Sequence, residues 1–367
     1  MKSEIRTALI FGIVIATGVG IISMIFSSLD EQVPTTNVTD NENTLKIDKS
    51  KFKKAPNIVG IAHYLNTTPE QLEKEIEGKV VLYDIWTYSC INCIRTLPYI
   101  TAWDEKYSEQ GLLVVGIHSP EFEFEKESDN VKMAIDKYGI RYPVVLDNDM
   151  ETWKAFDNRY WPRKYIADNE GYIRYDHIGE GSYDETEKVI QDLLEERATQ
   201  LGLNVAAAEP LVKLQEFEHT SYRTPELYFG YKFASGRNQL GNTEGFNPGN
   251  DVKYTLPSDF KSDYFYLEGI WANLQGSMRL VSDEGKIILP YFAKEVNIVT
   301  TGKGELSILL DGKPISVEYA GKDIVEGKIQ VDEPGLYNIV SSDSAASHTL
   351  EIVATPPGFE IYTFTFG

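Results

Sequence analysis

The chain has 367 residues, 42% apolar and 25% charged, proportions of folded globular protein with room for two domains and a tail. Its net charge of −21 argues against nucleic acid as a partner, because a phosphate backbone needs clustered Lys and Arg. The two cysteines cannot form a scattered disulfide scaffold, and the five histidines are too dispersed to complete a zinc site, so no metal or other cofactor is expected.

The first element is an uncharged apolar run from Ala8 to Phe26, close to the ~20 residues that span a bilayer as a helix. Lys2 and Arg6 precede it, and Asp30 and Glu31 follow. The positive flank stays inside, which makes residues 1–28 a single transmembrane anchor and puts the rest of the chain outside the cytoplasm, at the cell membrane. A cleaved signal peptide is the alternative and gives the same sidedness. The run is longer than the usual apolar core of such a peptide, and no A-x-A site follows it. Residues 29–55 are polar and read as a tether.

Residues 56–198 show the order of an α/β domain. Thr68-Pro69-Glu70-Gln71 is a capping box that opens a helix ending before Gly78. Lys79–Trp86 is a buried strand, and Cys90-Ile91-Asn92-Cys93 follows it. Apolar residues at Ile94, Leu97, Ile100 and Trp103 predict a helix to about Tyr107. Leu112–Ile117 is a second strand, 127–138 a helix, Tyr142–Leu146 a third strand, and 150–156 a short helix. After Trp161-Pro162, Lys164–Ala167 and Tyr172–Ile178 form a hairpin, and 184–197 is the closing helix.

A CxxC after a buried strand and at the start of a helix resembles the thioredoxin arrangement. Three more positions match that family: Asp84 within the strand, Pro98 five residues after Cys93, and Trp161-Pro162 before a strand. The strings WTYSCINCIRTLPY, HSPEFEFE, RYWPRKY and HIGEGSYDE are similar to the thioredoxin-like region of DipZ-type proteins, relatives of the TlpA and ResA thioredoxins. The resemblance implies a redox-active Cys90–Cys93 pair, a buried carboxylate at Asp84 and a cis peptide before Pro162.

In disulfide exchange the thiolate is the nucleophile, and a helix N-terminus favours the anion, so Cys90 is the expected attacking thiol. Cys93, one turn further in, resolves the mixed disulfide. Asp84 is the expected proton acceptor for Cys93, because burial raises a carboxyl toward neutrality. A cis Pro162 leaves neighbouring backbone to pair with an extended substrate. Trp161, Trp86 and Tyr88 are candidates for an apolar rim around the thiols, with core packing as the alternative. Ile91 and Asn92 tune the reduction potential in a direction that the sequence leaves open.

Residues 199–215 read as a connector. From 216 to 367 the chain alternates apolar and polar residues between Gly, Asp and Pro, the form of an all-β sandwich. TPELYFGY, LDGKPI, SHTLEI and YTFTFG extend the DipZ-type resemblance, which implies a carbohydrate-binding-module-like jelly roll here, with a carbohydrate or protein ligand.

The expected function is therefore an extracytoplasmic, membrane-anchored thiol–disulfide oxidoreductase that reduces disulfides in secreted or membrane-associated proteins, apocytochrome c among them. One hydrophobic segment does not supply a multi-span electron-transfer part, so a separate CcdA-type membrane donor is expected as partner. A disulfide oxidase or isomerase, and a surface binding module with a static disulfide, are the alternatives. A peroxidase fits less well, since Thr87 matches that pattern but Tyr83 stands where a proline belongs.

Overall fold

The computed structural model describes residues 48–204, 210–219 and 222–367. Ser50–Gly367 forms one compact unit, and that unit is described here. The expected anchor, Ala8–Phe26, and most of the tether lie outside the described residues. Among the described residues no helix is long and apolar enough to cross a membrane.

The first half of the unit is a thioredoxin-like α/β fold. Its elements are β1 (His63–Leu65), α1 (Pro69–Ile76), β2 (Val80–Trp86), α2 (Ile91–Tyr107), β3 (Leu112–His118), α3 (Ser128–Tyr138), β4 (Val144–Leu146), α4 (Glu151–Ala155), β5 (Arg163–Ala167), β6 (Ile173–Ile178) and α5 (Tyr183–Gln200). Thr68 caps α1 by accepting the Gln71 N–H at 3.2 Å, and Pro69 occupies the first turn, where no N–H is missed. The sheet order is β1-β4-β3-β2-β5-β6, with β2, β3 and β4 parallel and β1, β5 and β6 antiparallel to their neighbours. β1 is a three-residue edge strand whose Asn- and Thr-rich flank gave it no strand signature.

β2 is central and buried on both faces. Its alternate residues divide between two apolar clusters. Val80, Leu82 and Trp86 pack with Leu97, Ile100 and Trp103 of α2 and with Ile190 of α5. Val81, Tyr83 and Ile85 pack with Leu72 and Trp153 on the other face. The period of two therefore turns Asp84 toward α2.

The second half is a large antiparallel β-sheet domain, entered through β7 (Leu227–Tyr228) and α6 (Tyr231–Ala234). It continues through β8 (Asp251–Tyr254), β9 (Tyr266–Asn273), β10 (Met278–Leu280), β11 (Gly285–Thr301), β12 (Gly304–Leu310), β13 (Lys313–Pro314), β14 (Lys328–Val331), β15 (Gly335–Thr355) and β16 (Glu360–Phe366). β11 and β15 are long partners. The first part of β11 also pairs β9, as Ile287 with Leu267, and its last part pairs β16, as Ile298 with Phe364. The long pair thus joins two parts of one connected sheet. The buried side chains change parity across an irregularity at Ala293–Glu295: Ile287, Leu289, Tyr291 and Ala293 before it, Val296 and Ile298 after it, all in one apolar cluster. Sequence reading takes GLYNIVSS and SHTLEI as separate segments. The structure runs them together in β15, because the Ser-rich stretch between them remains within a strand paired to β11.

Candidate functional site

Cys90 is the N-cap of α2, in extended backbone, and its Sγ accepts the Cys93 N–H at 3.3 Å. The Cys90 N–H in turn donates to the Thr87 carbonyl at 3.3 Å, which closes the turn between β2 and α2. Cys90 is half-buried, whereas Cys93 is 1% exposed. Both are free thiols. Burial pushes the Cys93 thiol well above its ordinary value, and the hydrogen bond and charge of Cys90, then the charge of Asp84, push it further.

Behind Cys93 lies Asp84, buried, with an Oδ1 that has no hydrogen-bond partner in the protein. Burial raises its carboxyl to about 7, against the pull of the Lys164 ammonium. Lys164 is its cross-strand neighbour on β5 and is 0% exposed. Its Nζ donates to the Gly179 carbonyl at 3.0 Å. Burial lowers Lys164 to about 8, while Asp84, Cys93 and Glu180 draw it back up. Sequence reading missed Lys164. Its signal was a cation one residue inside a strand that continues apolar and aromatic, where a buried charge demands a partner.

The Trp161–Pro162 peptide is cis. The Trp161 indole N–H donates to the Ser119 carbonyl at 2.9 Å, which fixes the ring beside the loop after β3. Trp86 and Tyr88, expected as alternatives between rim and core, are buried at 0% and 3% exposure. They pack around His118, with ring centroids 5.2 and 5.7 Å away, and lie in the core behind the thiols. His118 is buried too, and burial lowers it to about 3, so the ring is neutral.

The loop after β3 holds a second buried acid that sequence reading did not single out. The Glu125 Oε1 accepts the Ser89 hydroxyl at 2.5 Å, and its Oε2 accepts the N–H groups of Glu121 and Phe122 at 2.6 and 2.8 Å. Burial raises Glu125, and these donors oppose the rise. The residue before Cys90 is thus tied to the loop that faces it. An acid between Phe122 and the α3 N-terminus, in an aromatic-rich run, was the available signal.

Cys90 opens into a cleft of about 490 Å3 whose walls come from both halves of the unit. Trp161 and Glu121 line it from the α/β half, and Glu226, Tyr228, Phe233 and Phe366 from the β-sheet domain. The walls are joined by an aromatic cluster: the Phe122 ring lies 5.4 Å from Phe233 and 5.0 Å from Tyr362, and Phe124 lies 4.8 Å from Tyr362. Among the described residues no group of three or more His, Cys, Asp or Glu is placed to hold a metal ion.

Comparison with known proteins gives the same division. A family profile described as Redoxin matches residues 51–194, and one described as Thioredoxin like C-terminal domain matches residues 224–367. Protein DipZ of Mycobacterium tuberculosis is 36% identical over 325 residues, 85% of this chain and 43% of that protein. The chain thus spans less than half the length of that relative. Thiol-disulfide oxidoreductase YkuV of Bacillus subtilis is 31% identical over 38% of this chain and 94% of YkuV. A solution structure of a thioredoxin-like protein in the oxidised form is 29% identical, with a TM-score of 0.36 over 40% of this chain and 97% of that one.

Proposed function

The chain belongs to the thioredoxin-like thiol–disulfide oxidoreductases of DipZ type, and on that premise we propose that it is an extracytoplasmic reductase, anchored in the membrane by Ala8–Phe26, that reduces disulfides of secreted or membrane-associated proteins. The observation that carries this reading is the Cys90–Cys93 pair at the N-terminus of α2 with Asp84 buried behind it.

The Cys90 thiolate attacks one sulfur of the client disulfide, while the client lies along Trp161 and the backbone before Pro162. A Cys90–client bond forms, the client S–S bond breaks, and its electron pair leaves on the second client sulfur. Cys93 then gives its proton to Asp84 and attacks the Cys90 sulfur; the Cys90–client bond breaks, and its electron pair leaves on the client sulfur, which takes a proton from solvent. The client leaves reduced and the Cys90–Cys93 disulfide remains. A membrane donor of CcdA type restores the dithiol, and oxidised apocytochrome c is one client class that this topology would serve. The β-sheet domain acts as a docking wall for the client, since it lines the cleft into which Cys90 opens.

The test uses the purified full chain in detergent. Wild type should reduce a protein disulfide, and Cys90→Ser should not; equal rates would overturn the reading. The direction of flow follows from the reduction potential, expected near the roughly −270 mV of a reducing thioredoxin and not near the roughly −120 mV of an oxidase. Labelling of Cys90 in intact cells by a membrane-impermeant thiol reagent tests the sidedness.

A further inference from the structure

The acid that serves Cys93 does not serve the client. Asp84 is buried behind Cys93 and does not line the cleft, so a thiolate leaving the client in front of Cys90 needs its proton from elsewhere. We propose that Glu121 is the general acid that protonates the client's leaving thiolate when Cys90 attacks. This rests on the reductase reading given above and adds a catalytic residue to it.

Three observations support the assignment. First, Glu121 lines the cleft with Cys90, and it stands two residues from Ser119, whose carbonyl takes the Trp161 indole N–H at 2.9 Å. It is therefore on the wall beside the expected path of the client. Second, the Tyr228 hydroxyl lies 2.9 Å from Glu121 Oε1 and 2.8 Å from Glu226 Oε2. A phenol has one proton and can donate to only one of the two carboxyls. Both contacts are hydrogen bonds only if the other carboxyl carries a proton and donates it to the phenol oxygen. The pair thus holds one transferable proton at the cleft wall. Third, the surroundings favour the protonated form of the pair. Burial, then the charges of Glu226 and Glu125, push Glu121 well above the usual carboxylate range, and Tyr228 and Arg237 oppose the rise. Burial raises Glu226 as well, opposed by Tyr228, Arg237 and Arg223. Arg159, from the loop before Trp161, is the other cation on the cleft.

The balance is simple. The Cys90 sulfur forms a bond to one client sulfur, the client S–S bond breaks, and the electron pair on the departing sulfur takes the Glu121 proton to give a thiol. The reductant is the Cys90/Cys93 dithiol. Glu121 is reprotonated from solvent before the next turnover.

A general acid matters in proportion to the basicity of the leaving group. The experiment therefore measures single-turnover reduction, by the reduced full chain, of an aromatic disulfide, 5,5′-dithiobis(2-nitrobenzoate), and of an aliphatic one, oxidised glutathione. Glu121→Gln should slow the aliphatic reaction about a hundredfold more than the aromatic one and remove the alkaline limb of its pH profile. Glu226→Gln, which takes away a repelling charge, should move that limb to lower pH. Equal slowing of both disulfides by Glu121→Gln would overturn the proposal and make Glu121 a structural part of the wall. An unmoved limb in Glu226→Gln would overturn it as well, so a Glu121→Gln chain that fails to fold leaves a second test. A wild-type chain that reduces neither disulfide would overturn the reductase reading together with this one.

Discussion

The two sides of the dithiol are built by different rules. Behind Cys93, Asp84 and Lys164 are cross-strand neighbours, so the register of β2 against β5 is enough to place them. In front of Cys90, Glu121 and Tyr228 are 107 residues apart, and the packing of Phe122 and Phe124 against Phe233 and Tyr362 brings them together. One side is a property of strand period, the other of an interface between two halves of the unit. The back should therefore respond to changes of charge in the sheet, and the front to changes in how the halves are held.

The largest expected effect lies at the back. Burial raises Asp84 from 3.8 to about 7. Between those values the folded chain keeps a proton that the unfolded chain has released, so this group's contribution to stability is complete below the lower value and is lost as pH rises through the upper one. Asp84→Asn should remove that loss. Its stability relative to wild type should grow by on the order of 4 kcal/mol between about pH 4 and about pH 8, measured by denaturant titration at each pH. A difference that stayed constant with pH would mean that folding does not raise the Asp84 value, which would leave it too weak a base to take the Cys93 proton, and the back would not be the proton acceptor proposed.

A smaller effect is expected where the two sides meet. Ser89→Ala removes the hydroxyl that donates to buried Glu125 at 2.5 Å. Loss of a hydrogen bond to a buried acid should lower stability by about 2 kcal/mol. If Ser89→Ala were as stable as wild type, the tie between the cysteine turn and the loop after β3 would carry no energy.

How much of this was legible follows the same line. The strand, the CxxC and the helix to Tyr107 stand in one stretch of sequence, and hydrophobic period placed them. Asp84 and Pro162 were singled out by the resemblance to the thioredoxin family, which implies a buried carboxylate and a cis-proline at those places. Lys164 was not, because a single lysine in a strand carries no sign of which face it takes until the pairing with β2 is known. Glu121, Glu226 and Tyr228 were beyond reach, since each looks like an ordinary surface residue and only the packed halves make them neighbours. The rim assigned to Trp86 and Tyr88 shows the converse: apolar residues beside a cysteine can as well be core, and burial decides.

Lys164→Met tests whether the back works as a pair. Without the cation, Asp84 should hold its proton to higher pH, so fewer molecules carry the carboxylate proposed to receive the Cys93 proton. Resolution of a trapped Cys90–client disulfide should slow about fivefold at pH 7, for a rise of one pH unit in the Asp84 value, and recover in alkaline buffer. A uniform slowing at every pH would assign Lys164 to packing alone.

The smallest expected effect tests the front at a distance. Arg95, on the turn of α2 that follows Cys93, reaches Glu295 at the irregular point of β11, with Nη2 2.7 Å from Oε2. Arg95 also lies 3.4 Å from the centroid of the Phe217 ring and 3.6 Å from Glu180. Glu295→Gln keeps an acceptor and loses only the charge, so about 1 kcal/mol should be lost, with one cooperative unfolding transition expected for it and for wild type alike. Two separated transitions would break the comparison. They would mean that a single ion pair, and not the aromatic cluster, makes the β-sheet domain part of the folding unit that carries Cys90, and the cleft wall would then be an attachment that comes and goes at small cost.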